Sequence, residues 1–155
     1  MKEDPISPAV KAALKQLFEE QIAFDKTLGL SITSFNPDRP RLRFDMRPEL
    51  LGHPLRKVLH GGVIAAVLDT VAGLGLMLAI ARAHADDPPE EQLARFRHMG
   101  TIDLRVDYVR PGRGAHFIAS AQVLRLGSRV ASVRMELEND AGELIAAGSA
   151  AYMVG

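Results

Sequence analysis

The 22 residues from His60 to Ala81, HGGVIAAVLDTVAGLGLMLAIA, are almost wholly apolar and carry a single carboxylate, Asp69, near their middle. Such a run spans about six turns of helix and has to be buried in something. A membrane span needs about 20 predominantly apolar residues. Asp69 divides this one into Gly61–Leu68 and Thr70–Ala81, and an acid at mid-bilayer is costly. Four glycines and many alanines suit close packing against protein, so a helix buried in its own domain, with no membrane, is the expectation. An ionised carboxylate in that setting is paired, faces a wet cleft, or belongs to a functional site with a shifted pKa.

The rest of the chain supplies the cover. Val10, Leu14, Leu17, Phe18 and Ile22 recur at helical spacing, so Pro8 to Lys26 reads as an amphipathic helix lying on the domain surface, with Ser7 as N-cap. Alternation of apolar and polar residues then predicts strands over Leu28–Phe35 and Arg41–Arg47, both ahead of the central helix. Asp86 or Asp87 is expected to cap a short second helix entered through Pro88 and Pro89. Four more strands follow, over Thr101–Val109, His116–Leu126, Arg129–Glu138 and Leu144–Met153. Short turns join them at Pro111–Gly114, Gly127–Ser128 and Asn139–Gly142, which predicts an antiparallel meander whose apolar face is covered by the long helix.

Nineteen basic residues balance nineteen acidic ones, which argues against a nucleic-acid surface. The absence of cysteine excludes disulfides, thiolate metal sites and a cysteine nucleophile. His84, His98 and His116 show no zinc-like spacing, so no metal is expected. The start MKEDPISPAV lacks the basic and apolar segments of a secretory signal, which makes the cytoplasm the expected location.

On the central helix, Ile64, Val67, Leu68, Val71, Leu74 and Leu78 fall on one side. Gly62, Ala65, Ala66, Asp69, Ala72 and Gly73 form a stripe of small residues on the other. His60 and Asp69 are nine positions apart, about 13 Å along the axis and on opposite sides. They cannot meet within one chain, so a shared site requires two chains related by a two-fold axis. A helix start with free N–H groups suits a developing oxyanion, and an aspartate across the cleft suits activation of water or direct attack on a carbonyl. From spacing alone, a structural helix start with a satisfied buried acid is an equal alternative.

These segments resemble a known family. LLGHPLRKVLHGGVIAAVLDTVAG is similar to the H-G-G signature, with its acid nine residues on, of the hotdog-fold acyl-CoA thioesterases, in their phenylacetate-type (PaaI-like) branch. TIDLRVDYVRPGRG, VLRLGSRVASVRMEL and GELIAAGSAAYMV resemble that family's strand segments in the same order. The resemblance covers residues 28 to 154 and implies an α+β hotdog fold, an antiparallel sheet wrapped around one long helix. Residues 1–27 are then an N-terminal helical extension to a domain of residues 28–155. It further implies hydrolysis of an acyl-CoA thioester by a homodimer or dimer of dimers, without a cofactor. Asp69 takes the place of the general base or nucleophile, and the backbone N–H of Gly61 or Gly62 that of the carbonyl-polarising donor. His60 shapes the carbonyl site, and Thr101 helps position water.

The family's usual asparagine before the H-G-G is replaced here by His53, which can also donate a hydrogen bond or be a plain loop residue. Thr101 lies on the polar side of its strand by strict alternation, unless a bulge after Gly100 re-aims it. Arg110, Arg113, Arg125 and Arg129 lie near turns, and Arg110, Arg113 and Arg129 are the candidates for CoA phosphate contacts. A non-catalytic acyl-CoA binder and a thioester dehydratase or isomerase are the alternative functions on the same fold.

Overall fold

A computed structural model describes residues 4–155, so the first three residues of the 1–27 extension lie outside the described residues. Helix α1 (Pro8–Gln16) starts as the sequence dictates, with the Ser7 hydroxyl accepting the Val10 N–H and Pro8 in the first turn. The single helix expected to Lys26 is broken. A widened turn at Leu17–Gln21 leads to extended backbone at Ile22, and α2 (Ala23–Leu28) then ends on left-handed Gly29. Apolar periodicity is blind to this break because residues on both sides of it stay on the inward face. The widened turn also ties the segment to the sheet, since Glu19 Oε1 accepts the Ile32 N–H at 2.9 Å. As an amphipathic helix on the domain surface, α1 buries Val10 and Leu14 fully in the same core as the sheet and leaves Ala12, Lys15 and Gln16 exposed.

Strands β1 (Ser31–Ser34) and β2 (Arg41–Asp45) follow, then a small hairpin of β3 (Leu51–His53) and β4 (Val58–Leu59) that alternation does not reveal. The long helix α3 (Gly61–Ala83) comes next, and then α4 (Pro89–Arg95). Neither Asp86 nor Asp87 caps α4; Pro88 occupies that position, and Asp87 instead pairs with Arg95 at 2.7 Å. Strands β5 (Gly100–Tyr108), β6 (His116–Leu126), β7 (Val130–Asn139) and β8 (Leu144–Met153) complete one six-stranded antiparallel sheet in the order β1-β2-β6-β7-β8-β5.

That order corrects the four-strand meander. Only β6, β7 and β8 form one, whereas β5 pairs with β8 and lies at the sheet edge. Strand β6 already has β2 and β7 as neighbours, so Pro111–Gly114 is a crossing over the end of the sheet rather than a hairpin turn. The crossing passes the start of α3, where the Gly112 carbonyl accepts the Leu59 N–H at 3.0 Å.

The sheet curls around α3 and presents Leu42, Phe44, Phe117, Ala119, Val133, Met135 and Leu137 to it, all buried. Phe44 and Phe117 are register partners on β2 and β6, with ring centroids 5.2 Å apart. Strand β8 faces the helix with Ala146, Gly148 and Ala150, small residues that let it approach closely. A side chain at Gly148 would fall 2.8 Å from the Arg105 carbonyl oxygen. The small-residue stripe of α3 is narrower than its sequence suggests, because Ala72 is fully buried; Gly62, Ala65, Ala66, Asp69 and Gly73 stay accessible. This is the antiparallel sheet around one long helix, with an added N-terminal helical segment, that defines the hotdog arrangement.

Because Leu14 belongs to the common core, Leu14→Ala should cost about 2–5 kcal/mol of unfolding free energy. Urea denaturation reads this as a lower midpoint at unchanged slope, and an unchanged midpoint would make α1 a dispensable appendage.

Candidate active site

Asp69 lies in the middle of α3, half-buried, at the mouth of an open cleft of about 300 Å³. Two hydroxyls from the sheet reach its carboxylate. Thr101 Oγ1 donates to Oδ1 at 2.9 Å, and the Tyr152 phenol lies within hydrogen-bond reach of the same oxygen and 2.7 Å from the Asp69 carbonyl oxygen. Thr101 gets there through a bulge. The β5–β8 register slips between Thr101 and Asp103, so Ile102 is the extra residue and Thr101 turns to the helix side, against the strict alternation.

Tyr152 is a member of the site that the sequence reading missed. It occupies an inward position on β8, and a buried tyrosine needs a partner for its hydroxyl, which is the signal that was available. Burial, reinforced by its bond to Asp69, pushes the Tyr152 phenol above its ordinary range, so it stays a proton donor to the carboxylate.

Asp25 is the second residue missed. It lines the same cleft from α2 and is only 2% exposed. Thr70 Oγ1 donates to its Oδ1 at 3.3 Å, while its Oδ2 is buried with no hydrogen-bond partner among the described residues. Desolvation pushes the Asp25 carboxyl up to about 6, against the Thr70 hydrogen bond and with help from the nearby Asp69 charge. Its signal in the sequence was an acid seven residues after Phe18, on the apolar face of the helical segment.

The start of α3 forms a second cleft of about 280 Å³, bordered by Arg56, Leu59, Gly61, Tyr108 and Arg110. His60 is the N-cap, and its Nδ1 accepts the Gly62 N–H at 2.8 Å. Gly62 is thereby committed inside the chain, whereas the Gly61 N–H has no partner among the described residues. Acceptance at Nδ1 puts the proton of neutral His60 on Nε2. A side chain at Gly61 would come within 3.3 Å of the Tyr108 ring, which would have to give by a few tenths of an ångström; the Tyr108 hydroxyl donates to the Gly61 carbonyl at 3.0 Å.

His53 is exposed on the β3–β4 hairpin and accepts the Arg56 N–H at Nδ1, 3.3 Å away. Its neighbour Gly52 packs against the His60 backbone, so the hairpin flanks the helix start. Arg110 and Arg113 lie at this end of the sheet, with Arg110 donating to the Leu144 carbonyl at 3.0 Å. Arg129 lies at the opposite end, where its carbonyl accepts the Val154 N–H. Within one chain the three arginines do not form one cluster, and the Gly61 and Asp69 clefts are separate. Among the described residues, no group of three or more His, Asp or Glu side chains is arranged to hold a metal.

Residues 56–146, more than half of the chain, match the family described as the Thioesterase superfamily, and the chain belongs to it. Among its relatives is the medium/long-chain acyl-CoA thioesterase YigI of Escherichia coli (strain K12), 40% identical over 140 residues that span 90% of both chains. Among solved structures, a Shewanella oneidensis protein related to the thioesterase superfamily superposes with a TM-score of 0.89 at 40% identity, over 96% of this chain and 99% of that one. Mouse thioesterase superfamily member 2 superposes with a TM-score of 0.73 over 97% and 100%, but at 20% identity that likeness concerns the fold alone.

Asp25 offers a test by pH. A carboxyl whose pKa rises on folding is bound to its proton more tightly in the folded than in the unfolded chain. Between 3.8 and about 6 the folded state therefore holds more protons, and stability declines as pH rises through that window. Asp25→Asn removes this titration. The gain in melting temperature of Asp25→Asn over wild type should be several degrees larger at pH 8 than at pH 5, and an equal gain at both would contradict a protonated, buried Asp25.

Proposed function

We propose that the chain hydrolyses a medium- or long-chain acyl-CoA thioester to the free acid and CoA, in sites composed of two copies of the chain. The observation that carries this reading is the pairing of an acid held open to a cleft, Asp69, with an unsatisfied N–H at a helix start, Gly61, in two clefts of one surface. The activity and chain-length range of the 40%-identical relative support the substrate class.

The sheet edge suggests how two copies complete the site. Strand β5 is an edge strand nine residues long, with Ile102 and Tyr108 exposed, and such an edge needs a partner or a cover. Thr101 marks the Asp69 cleft and Tyr108 the Gly61 cleft, about 23 Å apart along the strand. Antiparallel pairing of two β5 edges about a two-fold axis at Arg105 sets Leu104 opposite Val106 and, with Ile102 as the extra residue of the bulge, one chain's Thr101 opposite the other's Tyr108. Asp69 of one copy then faces Gly61 of the other. The same operation brings the Arg129 end of one copy toward the Arg110 and Arg113 end of the other, on the side suited to CoA phosphates.

The thioester carbonyl oxygen accepts from the Gly61 N–H at the positive end of α3, with His60 Nε2–H and the histidine hairpin of His53 around it. Asp69 acts as base toward water or as the nucleophile itself, its unengaged Oδ2 doing the work while Thr101 and Tyr152 hold Oδ1. With Asp69 as base, water gives a proton to Oδ2 as its oxygen adds to the carbonyl carbon, the carbon–sulfur bond breaks, and that proton passes to the departing CoA thiolate; with Asp69 as nucleophile, loss of CoA leaves an acyl–Asp69 anhydride that water hydrolyses to the free acid.

Two variants test this together. Asp69→Asn should lower kcat by about 10²–10⁴-fold. Gly61→Pro deletes the free N–H and suits the first helical position, with the Tyr108 ring yielding a few tenths of an ångström to the added Cβ, and should lower it about 10²–10³-fold at an unchanged melting temperature. Mixing the two after subunit exchange regenerates one intact site in each heterodimer, so activity should return to about one quarter of wild type. A mixture as inactive as its components would exclude a two-chain site.

A further inference from the structure

Gly73 lies one turn beyond Asp69 on the accessible stripe of α3 and borders the Asp69 cleft. A side chain built there meets nothing within 4 Å, whereas one at Gly75 meets Ala121 at 3.3 Å and one at Gly148 meets backbone at 2.8 Å. Packing within the chain accounts for Gly75 and Gly148 but not for Gly73, which weakens a helix interior relative to alanine. What Gly73 provides is empty volume, and beyond the polar groups that border it (Asp69, Asp25, Thr70, Thr101 and Tyr152) that volume is walled by apolar ones. Ile22 and Phe24 come from the N-terminal segment, Met77 from the next turn of α3, and Met99 from the stretch after α4. Phe24 is more than half exposed, as expected of a wall without its ligand.

We propose that Gly73 sets the length of the acyl group the enzyme accepts, the tail running from Asp69 past Gly73 to Met77 against Ile22, Phe24 and Met99. This rests on the reading of Asp69 as the acid that acts on the thioester. Along the helix, Gly73 is about 6 Å and Met77 about 12 Å from Asp69. An extended chain advances roughly 1.2 Å per bond, since three backbone bonds span up to about 3.6 Å. The tail therefore passes Gly73 near the fifth carbon and reaches Met77 near the tenth, which makes the cleft a ruler for medium and long acyl groups. The methionines suit it, being flexible and able to fit chains of different length.

Gly73→Leu fills the cleft at its near point and Met77→Trp at its far point. Steady-state kcat/KM is measured for butyryl-, octanoyl- and dodecanoyl-CoA with wild type and both variants, and melting temperature reports folding. In Gly73→Leu the dodecanoyl-to-butyryl and octanoyl-to-butyryl ratios should both fall about 100-fold, as expected when methylene groups lose their pocket. In Met77→Trp only the dodecanoyl ratio should fall, and this variant carries the test if Gly73→Leu melts early. Unchanged ratios in both folded variants would overturn the proposal, as would an equal loss at all three lengths or the same cut-off in both. Hydrolysis by wild type with an unaltered length profile in the variants defeats the ruler alone, whereas wild type that releases no CoA from any of the three defeats the thioesterase reading as well.

Discussion

A carboxylate in the middle of an apolar helix is tolerable only if something polar reaches it, and in this chain two hydroxyls do so from the sheet. Thr101 from β5 and Tyr152 from β8 converge on Asp69 Oδ1. Their register fixes where α3 lies along the sheet, since Thr101 and Tyr152 are partners across the β5–β8 ladder. The bulge at Ile102 follows from the same demand, because without the extra residue the Thr101 hydroxyl would point away from the helix. Small residues on β8 then admit the helix at the needed distance, with Gly148 against Leu68 and the Arg105 backbone.

The other end of α3 is governed by a different economy of donors. Four N–H groups are left over at any helix start. Here the His60 N–H donates to the Leu50 carbonyl, Val63 to the His60 carbonyl and Gly62 to the His60 ring, and Gly61 alone is without a partner among the described residues. One free amide at the positive end of a 23-residue helix is a defined place for a carbonyl oxygen, more selective than a pair of glycines suggests. The distance between this donor and Asp69 gives the open β5 edge its place in the proposed site, in which antiparallel pairing of two copies would bring the two together.

Much of this was legible in the sequence. The single acid in an apolar helix, the glycines at its start and the spacing that forbids their meeting in one chain are all one-dimensional facts, and they carry the two-chain proposal. Strand positions were legible because alternation reports which residues share a face. Pairing was not, because a strand's pattern says nothing about its neighbour; short connections predict β5 beside β6, whereas it lies beside β8. Asp25 and Tyr152 escaped for a related reason. Each carries a polar group on an inward face, and its meaning depends on a residue 44 or 83 positions away at Asp69. The break at Ile22 was invisible because the apolar face continues through it.

Hydrolysis of an acyl-CoA thioester is measured by following free thiol and free fatty acid together when purified protein meets a saturated acyl-CoA. Equimolar release of CoA and acid, with no change in the acyl chain, is the expected result. Binding of acyl-CoA without thiol release, or an acyl group altered while still joined to CoA, would contradict it.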